Sequence, residues 1–319
     1  METITVGKND GGIRLDKFLS KCFKTMPKSL MYKYIRTKRI KLNGKRVKED
    51  TVLTEGDVLT FYIDSEFFGD KTNEELKFTK LKESRLVVVY EDENILIADK
   101  PSGLIVHSDE NEELNTLINH IKLYLYNKGE YVPSEENSFA PALCNRIDRN
   151  TSGLVIAAKN AITLKVMNEK IKARELDKIY LCAVHGIPQK REATLRGFLE
   201  KISAENRVVV HSRPTRNAKE SVTKYKVVAV NKARDLSLLE VELITGRTHQ
   251  IRSQLAEAGY PLLGDGKYAV NKKDRKAGYS SQALSAHKLT FKFVGEPTHL
   301  DYLSGRTFYS SEPEFLSLF

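Results

Sequence analysis

The chain has 319 residues, of which 40% are hydrophobic and 29% are charged, and no apolar stretch reaches the ~20 residues that a helix needs to cross a bilayer. The three cysteines, Cys22, Cys144 and Cys182, form no CxxC pair, which argues against a zinc site and against the disulfide framework of a small secreted protein. No export signal is visible at the N-terminus, so we expect a cytoplasmic protein with no membrane partner, and its net charge of +10 favours a polyanion such as nucleic acid as the partner.

The charge is concentrated at the start of the chain. Residues 1–63 contain 14 Lys and Arg against 7 Asp and Glu, so +7 of the total +10 lies in the first fifth. Apolar residues at helical spacing predict an amphipathic helix over residues 13–24. A second helix is predicted from Pro27, which suits a first helical position, to Arg36. This uneven charge indicates a dedicated electrostatic module.

A basic hairpin follows the two helices. Asn43-Gly44 separates alternating segments within residues 39–47, and this dipeptide is the strongest short-range sign of a β-hairpin. Residues 58–63 are predicted as a strand. The order of these elements resembles the S4-type RNA-binding module, carried by RLDKFL and PKSLMYKYIRTKRIKLNGKRVKEDTVLTEGDVL, although any small basic α+β domain would share some of it. The side chains expected to contact RNA phosphates are Lys28, Lys33, Arg36, Lys38, Arg39 and Lys45.

The remainder of the chain predicts a larger domain. Residues 64–85 are polar and lack periodicity, so they are predicted as a linker between an S4-like domain over residues 1–63 and a catalytic domain over residues 86–319. Strands are predicted over 86–90 and 94–98, and a helix near 112–126.

Further strands follow the linker and first helix. They are predicted over 154–158, 178–184, 222–230 and 237–243, with a helix capped by Asn160 after the first of them. Because strands outnumber helices and are often adjacent, we expect an α+β fold with a mixed, mostly antiparallel sheet flanked by helices.

One acidic side chain stands out before the strand over 154–158. Asp148 lies between Arg146 and Arg149 and is followed by Thr151-Ser152-Gly153 and an apolar run. Taken alone, such a cluster is more often a surface ion-pair group with a turn. Placed on a loop that leads into a buried strand, however, the carboxylate would be held rigidly where a substrate can reach it.

A second dense cluster is Thr245-Gly246-Arg247-Thr248-His249-Gln250-Ile251-Arg252, which offers two cations and two hydrogen-bonding side chains. By itself it is compatible with a helix start carrying solvated charges. A single histidine such as His249 is more often structural than a catalytic base.

The order and spacing of these motifs resemble the RluA-type pseudouridine synthases. The family's Lys-Pro segment stands here at Lys100–His107, its aspartate motif at Asn145–Gly153, its tyrosine strand at Lys178–Gly186, and its Thr-Gly-Arg-Thr-His-Gln-Ile-Arg block at Thr245–Arg252. Residues 1–63, the S4-like module, are called the leader below. With this leader, the chain looks most like the RluC-type enzymes that modify 23S ribosomal RNA. It departs from the pattern at Asn145 and Gln254, where histidines are usual, and in the tail from Glu296.

The resemblance implies roles for four residues. Asp148 would be the nucleophile in an isomerisation that detaches the uracil base, turns it and rejoins it through C5. Arg247 would form an ion pair with Asp148, and Tyr180 would stack on the extruded base and assist proton transfer. Arg146 would lie beside the gap left by the flipped nucleotide. The reaction imports no electron or group, so we expect no cofactor.

Two alternatives remain open from the sequence. The departures at Asn145 and Gln254 are compatible with a non-catalytic RNA-binding or ribosome-assembly factor that keeps the synthase fold. Transfer RNA could also be the substrate in place of ribosomal RNA. We expect a monomer without metal, because the seven histidines are scattered without the spacing of metal ligands.

Overall fold

The computed structural model describes residues 1–68, 77–202 and 207–319, and these ranges contain two β-sheets, each with its own hydrophobic core. The smaller sheet is antiparallel and is accompanied by two helices. Its elements are β1 (Glu2–Thr5), α1 (Leu15–Cys22), α2 (Lys28–Arg36), β2 (Ile40–Leu42), β3 (Lys45–Arg46) and β4 (Val58–Phe61). The strand order is β1-β4-β2-β3.

The amphipathic pattern predicted for the leader accounts for this unit. Phe18 and Leu19 of α1 and Ile35 of α2 are buried with Phe61 of β4, while the basic side chains of α2 stay exposed. Between β2 and β3, Asn43-Gly44 adopts left-handed backbone angles at both residues, with φ of 50° and 73°. Such angles are typical of the type I′ turn, whose twist matches that of the two strands.

The larger sheet has eleven strands. The strands are β5 (Val87–Glu91), β6 (Ile95–Lys100), β7 (Ala142–Leu143), β8 (Ser152–Ala158), β9 (Leu176–His185), β10 (Glu192–Ile202), β11 (Arg207–His211), β12 (Lys219–Asn231), β13 (Leu236–Leu243), β14 (Leu284–Phe291) and β15 (Thr307–Tyr309). Their order is β11-β10-β12-β13-β9-β14-β8-β6-β5, with β7 paired to β8 and β15 paired to β14. Every pairing except β8 with β14 is antiparallel.

Four helices belong to this larger unit: α3 (Leu117–Asn127), α4 (Ala161–Lys172), α5 (Gln250–Glu257) and α6 (Lys272–Lys276). Asn160 caps α4 as predicted, since its Oδ1 accepts a hydrogen bond of 2.8 Å from the Thr163 amide. None of the described helices is long and apolar enough to cross a membrane.

The structure confirms the predicted α+β class with a mostly antiparallel mixed sheet. The helix predicted near 112–126 begins later, at Leu117, because two carboxylates hold turns before it. Asp109 accepts hydrogen bonds from the backbone amides of residues 111 and 112, and Glu112 accepts them from the amides of residues 114 and 115. Strands β1, β7, β10, β11, β14 and β15 were not predicted. Pairing with neighbouring strands of their sheets, which the sequence does not show, stabilises them.

The segment predicted as a linker packs against both units at its ends. Phe67 and Phe68 contact the small core, and Phe78 is buried in the large one; residues 69–76 lie outside the described ranges. A polar contact also joins the units, because the Asp10 carboxylate accepts hydrogen bonds from Asn137 Nδ2 at 2.9 Å and from Ser138 Oγ at 2.6 Å.

Candidate active site

A cleft of about 530 Å³ lies where the loop before β8 meets β9 and the start of α5. Strand β14 brings these elements together. It runs parallel to β8, with Ser285 opposite Ser152, and antiparallel to β9, with Leu284 opposite Cys182. The start of β8 and the middle of β9 therefore lie on either side of the same part of β14. Side chains with chemical function at the cleft are Arg146, Asp148, Lys178, Tyr180, Arg247, His249 and Arg252.

The loop that carries Asp148 is fixed to the sheet. Asn145 Oδ1 accepts a hydrogen bond of 2.8 Å from the Ile156 amide, which anchors the loop to β8. Ser102 Oγ donates to the Asn150 carbonyl at 3.0 Å, and the Thr151 amide donates to the Asp148 carbonyl at 3.1 Å. The Asp148 carboxylate is thus held on a rigid loop, and its side chain is 26% exposed.

Lys100 also holds the loop of Asp148 in place through hydrogen bonds. Its side chain is fully buried, and Nζ donates to three carbonyl oxygens, those of Pro101 at 2.9 Å, Leu104 at 2.7 Å and Arg149 at 2.8 Å. Burial lowers the pKa of Lys100 to about 7, against the attraction of the nearby Asp148. The three carbonyls match the three donors of an ammonium group, so Lys100 joins the turn after β6 to the loop of Asp148.

The cation paired with Asp148 is Arg252. Its Nη1 lies 3.0 Å from Asp148 Oδ2, while Nε and Nη2 contact the two oxygens of buried Asp265 at 2.7 and 3.0 Å. Burial disfavours the charged guanidinium, but the hydrogen bonds and charge of Asp265 outweigh it and raise the pKa of Arg252. One buried guanidinium therefore bridges two carboxylates.

The predicted ion pair between Arg247 and Asp148 is therefore wrong. Arg247 is exposed at the mouth of the cleft, and its Nε donates to the Glu220 carbonyl at 3.2 Å. The helical register explains the difference, because Arg252 lies in the first turn of α5 while Arg247 precedes the helix. The sequence shows both arginines in one motif and does not show which of them faces Asp148.

Tyr180 lies on β9 and also lines the cleft. Its side chain is 7% exposed, and burial, followed by the negative charge of Asp148, raises the pKa of Tyr180 above its ordinary value. The phenol stays neutral at physiological pH. A neutral ring next to the carboxylate offers an apolar face on which a planar group can stack.

The two departures from the family pattern, Asn145 and Gln254, have structural partners. Asn145 anchors the loop before β8, as described above. Gln254 is buried on α5, where it accepts a hydrogen bond of 2.6 Å from Thr223 Oγ1 and donates to the Leu195 carbonyl at 3.3 Å. Gln254 thus ties α5 to β10 and β12, and both substitutions leave the Asp148 pair with Arg252 in place.

The residues predicted to bind RNA are all exposed. Arg146 borders the cleft two positions before Asp148. The other six lie on α2, on the turn that follows it, and on β3 of the small unit; they are Lys28, Lys33, Arg36, Lys38, Arg39 and Lys45. Arg39 additionally lies over the Tyr34 ring, with 5.6 Å between the guanidinium carbon and the ring centroid.

The sequence did not predict three features of the site. They are the support of the loop by Lys100, the contact of Asp265 with Arg252, and the ion pair of Arg252 with Asp148. Asp265 lies in the turn-rich segment after α5, where a Gly-Asp-Gly sequence normally indicates only a loop. Within the described ranges, no group of three or more His, Cys, Asp or Glu side chains is placed to hold a metal ion.

Comparison with known proteins gives a consistent result. Residues 94–257 match the family described as RNA pseudouridylate synthase. The chain is 36% identical to an RNA pseudouridine synthase of Mycoplasma capricolum over 99% of both chains. It is also 32% identical to the ribosomal large subunit pseudouridine synthase C of Buchnera aphidicola, over 85% of this chain and 82% of that one. The solved structure of human RNA pseudouridylate synthase domain containing 4 shares the fold, with a TM-score of 0.56 and 21% identity over 72% of this chain and 90% of the human one.

Proposed function

Because the chain belongs to the RNA pseudouridylate synthase family, we propose that it isomerises specific uridines of large-subunit ribosomal RNA to pseudouridine, with Asp148 as the nucleophile. The assignment of Asp148 rests on its position in the cleft that Tyr180 also lines. There, Asp148 Oδ2 lies 3.0 Å from Nη1 of the buried Arg252. The ribosomal substrate is supported by relatives named ribosomal large subunit pseudouridine synthase C.

The reaction is balanced without a cofactor. The bond between N1 and C1′ breaks, a bond between C5 and C1′ forms, C5 loses a proton and N1 gains one. A carboxylate that adds to the ribose or to the base, or that assists elimination, begins this exchange and is regenerated at its end. Arg252 would form the ion pair with the Asp148 carboxylate before the reaction and after the carboxylate is regenerated. This is the role that the sequence predicts for Arg247.

Binding must compensate for extrusion of the nucleotide, which costs a few kcal/mol. The exposed cations of the leader supply phosphate contacts that can offset this cost. Arg146 lies beside the gap left by the flipped nucleotide, and Tyr180 supplies a stacking face. We propose that the protein acts as a monomer. We propose a cytoplasmic location for this activity.

The test is pseudouridine formation on defined RNA. Asp148→Asn should abolish product while RNA affinity and the circular dichroism spectrum stay unchanged. Asp109→Asn is the matched control, since Asp109 is an exposed carboxylate that pairs with Arg149 beside the same loop. It should react at a rate close to that of the wild type. Asp148→Asn with wild-type turnover would remove Asp148 from the mechanism.

The substrate is tested by mapping pseudouridine in large-subunit ribosomal RNA and in transfer RNA incubated with the wild-type protein. We expect product at defined positions of the large-subunit RNA. Product in transfer RNA alone would replace the ribosomal assignment. Binding without product in either RNA would favour a non-catalytic assembly factor.

A further inference from the structure

His249 has an unusual place in the cleft. It precedes α5 with a left-handed backbone, at φ of 51°, and makes no side-chain capping bond to the helix. A non-glycine residue in this region is uncommon and is often associated with function. Its imidazole is 11% exposed, and it packs edge-on against Tyr268 with 5.7 Å between the ring centroids.

Tyr268 determines which nitrogen of His249 carries the proton. Tyr268 Oη accepts a hydrogen bond from the Val208 amide and lies 2.9 Å from His249 Nδ1. Since the Val208 amide already donates to this oxygen, the hydroxyl proton of Tyr268 gains a partner when Oη donates it to His249 Nδ1. In a neutral imidazole the proton then resides on Nε2.

The Nε2 atom faces the carboxylate of Asp148. It lies 3.8 Å from Asp148 Oδ2, the same oxygen that Arg252 Nη1 approaches at 3.0 Å. His249 and Arg252 therefore approach one and the same oxygen of the Asp148 carboxylate.

The charges around His249 favour the neutral ring. Those that face it are Asp148, Arg252, Asp265 and Lys267, and the nearby hydroxyl is that of Tyr268. Burial lowers the pKa of His249 to about 4 and Arg252 and Lys267 act in the same direction, against the opposing attraction of Asp148 and Asp265. His249 is therefore a neutral hydrogen-bond donor at physiological pH.

We propose that His249 is a positioning residue for the reaction: its Nε2–H, together with Arg252, holds Oδ2 of Asp148 and directs Oδ1 at the extruded nucleotide. The inference rests on the proposed function. The distance of 3.8 Å exceeds a hydrogen bond, and we expect it to shorten when RNA fills the cleft, since such contacts commonly tighten in the substrate complex.

Two amide variants separate this role from simple packing. In His249→Gln, the side-chain amide nitrogen reaches the place of Nε2, whereas in His249→Asn it reaches only the place of Nδ1. Asn also tolerates the left-handed backbone, so the loss of the donor is not confounded by strain. Single-turnover rates at saturating RNA and the Kd for RNA are measured for both, with thermal unfolding as the folding control.

We expect His249→Asn to lower the single-turnover rate by about 10- to 100-fold at unchanged Kd, because a small misplacement of a reacting group has effects of this size. His249→Gln should retain a rate within about 3-fold of the wild type, as the restored donor is preorganised. Equal rates for His249→Asn and the wild type overturn the proposal, and so does an equal loss in both folded variants. Absence of pseudouridine with the wild-type protein would instead overturn the proposed function.

The tautomer gives a readout independent of activity. Nitrogen NMR of histidine-labelled protein at pH 7, with His249→Gln used to assign the resonance, should show a protonated Nε2 and an unprotonated Nδ1. In Tyr268→Phe the Nδ1-protonated form should gain population, since the donor to Nδ1 is removed. A wild-type His249 protonated on Nδ1 would contradict the inference.

Discussion

At the scale of single residues, the site depends on one guanidinium between two carboxylates. Arg252 is 7% exposed and Asp265 is fully buried, so neither charge is solvated by bulk water. Removing one partner of such a set leaves the other charge buried without compensation, which costs more than the pair contributes when intact. The guanidinium of Arg252 must therefore contact both carboxylates at once, which requires its planar shape as well as its charge.

Substitution of the two arginines by lysine should separate their roles. Arg252→Lys keeps the charge but loses the fork that contacts both Asp148 and Asp265, so we expect turnover to fall by about 100-fold or more with little change in RNA affinity. Arg247→Lys should change turnover by less than about 5-fold, because Arg247 does not contact the carboxylate. Single-turnover kinetics and RNA titration of the two variants measure this. A larger loss for Arg247→Lys would restore the original assignment.

The buried His249 should make stability depend on pH. Its folded pKa of about 4 lies below the ordinary value of 6.5, so the unfolded chain binds the additional proton between these values and stability falls as the pH drops from 6.5 to 4. The contribution at full effect is on the order of 3 kcal/mol, since each pKa unit corresponds to about 1.4 kcal/mol. Urea unfolding from pH 4 to pH 7 should show a weaker pH dependence for His249→Gln than for the wild type. Parallel curves would contradict a neutral, buried His249.

At the scale of elements, the loop before β8 is rigid because neighbouring segments supply its hydrogen bonds. Lys100 at the end of β6 and Asn145 within the loop account for much of this support. Gly153 lets β8 approach β14 closely: it has φ of +109°, and an added Cβ would lie 2.3 Å from the Ala286 carbonyl oxygen. The parallel pairing that places Asp148 near Tyr180 depends on this close approach.

Alanine at two glycines tests the importance of that contact. Gly153→Ala should reduce the free energy of unfolding by about 3 kcal/mol or more, since it combines a backbone clash with an unfavourable φ. Gly129→Ala is the control, because Gly129 has φ of +72° but open space around the new Cβ, and it should cost about 1 kcal/mol. Equilibrium urea unfolding gives both values. Similar losses in the two variants would show that backbone strain alone limits position 153.

At the scale of the whole molecule, the basic leader and the cleft are separate units joined by a segment whose two ends pack on the two cores. The hydrogen bonds from Asn137 and Ser138 to Asp10 add a polar contact between them. Under the proposed function, a leader held in this way would supply phosphate contacts while the cleft engages a single nucleotide. Such contacts position the RNA but do not read its sequence.

Neutralising the leader should weaken RNA binding in a salt-dependent manner. Replacing Lys28, Arg36, Lys38 and Arg39 by Gln should reduce the slope of log Kd against log salt by about 3, because each phosphate contact contributes about 0.7–0.9. The control replaces four exposed cations of α6, Lys272, Lys273, Arg275 and Lys276, which should change the slope little. Fluorescence titration at several salt concentrations measures the slope. An unchanged slope in the leader variant would refute its role.

The sequence alone was sufficient to predict the α+β class, because apolar periodicity and turn signals such as Asn43-Gly44 are local properties. Its dense polar motifs resemble those of the RluA-type pseudouridine synthases, and that resemblance indicated the family and the segments around Asp148 and Tyr180. The resemblance to the pseudouridine synthases is confirmed by the comparisons. Only the tertiary structure decided that Arg252, and not Arg247, pairs with Asp148, and that Asp265, Lys100 and Tyr268 support the site. These contacts join residues up to 104 positions apart. They follow from strand pairing and helix orientation, which local patterns do not encode.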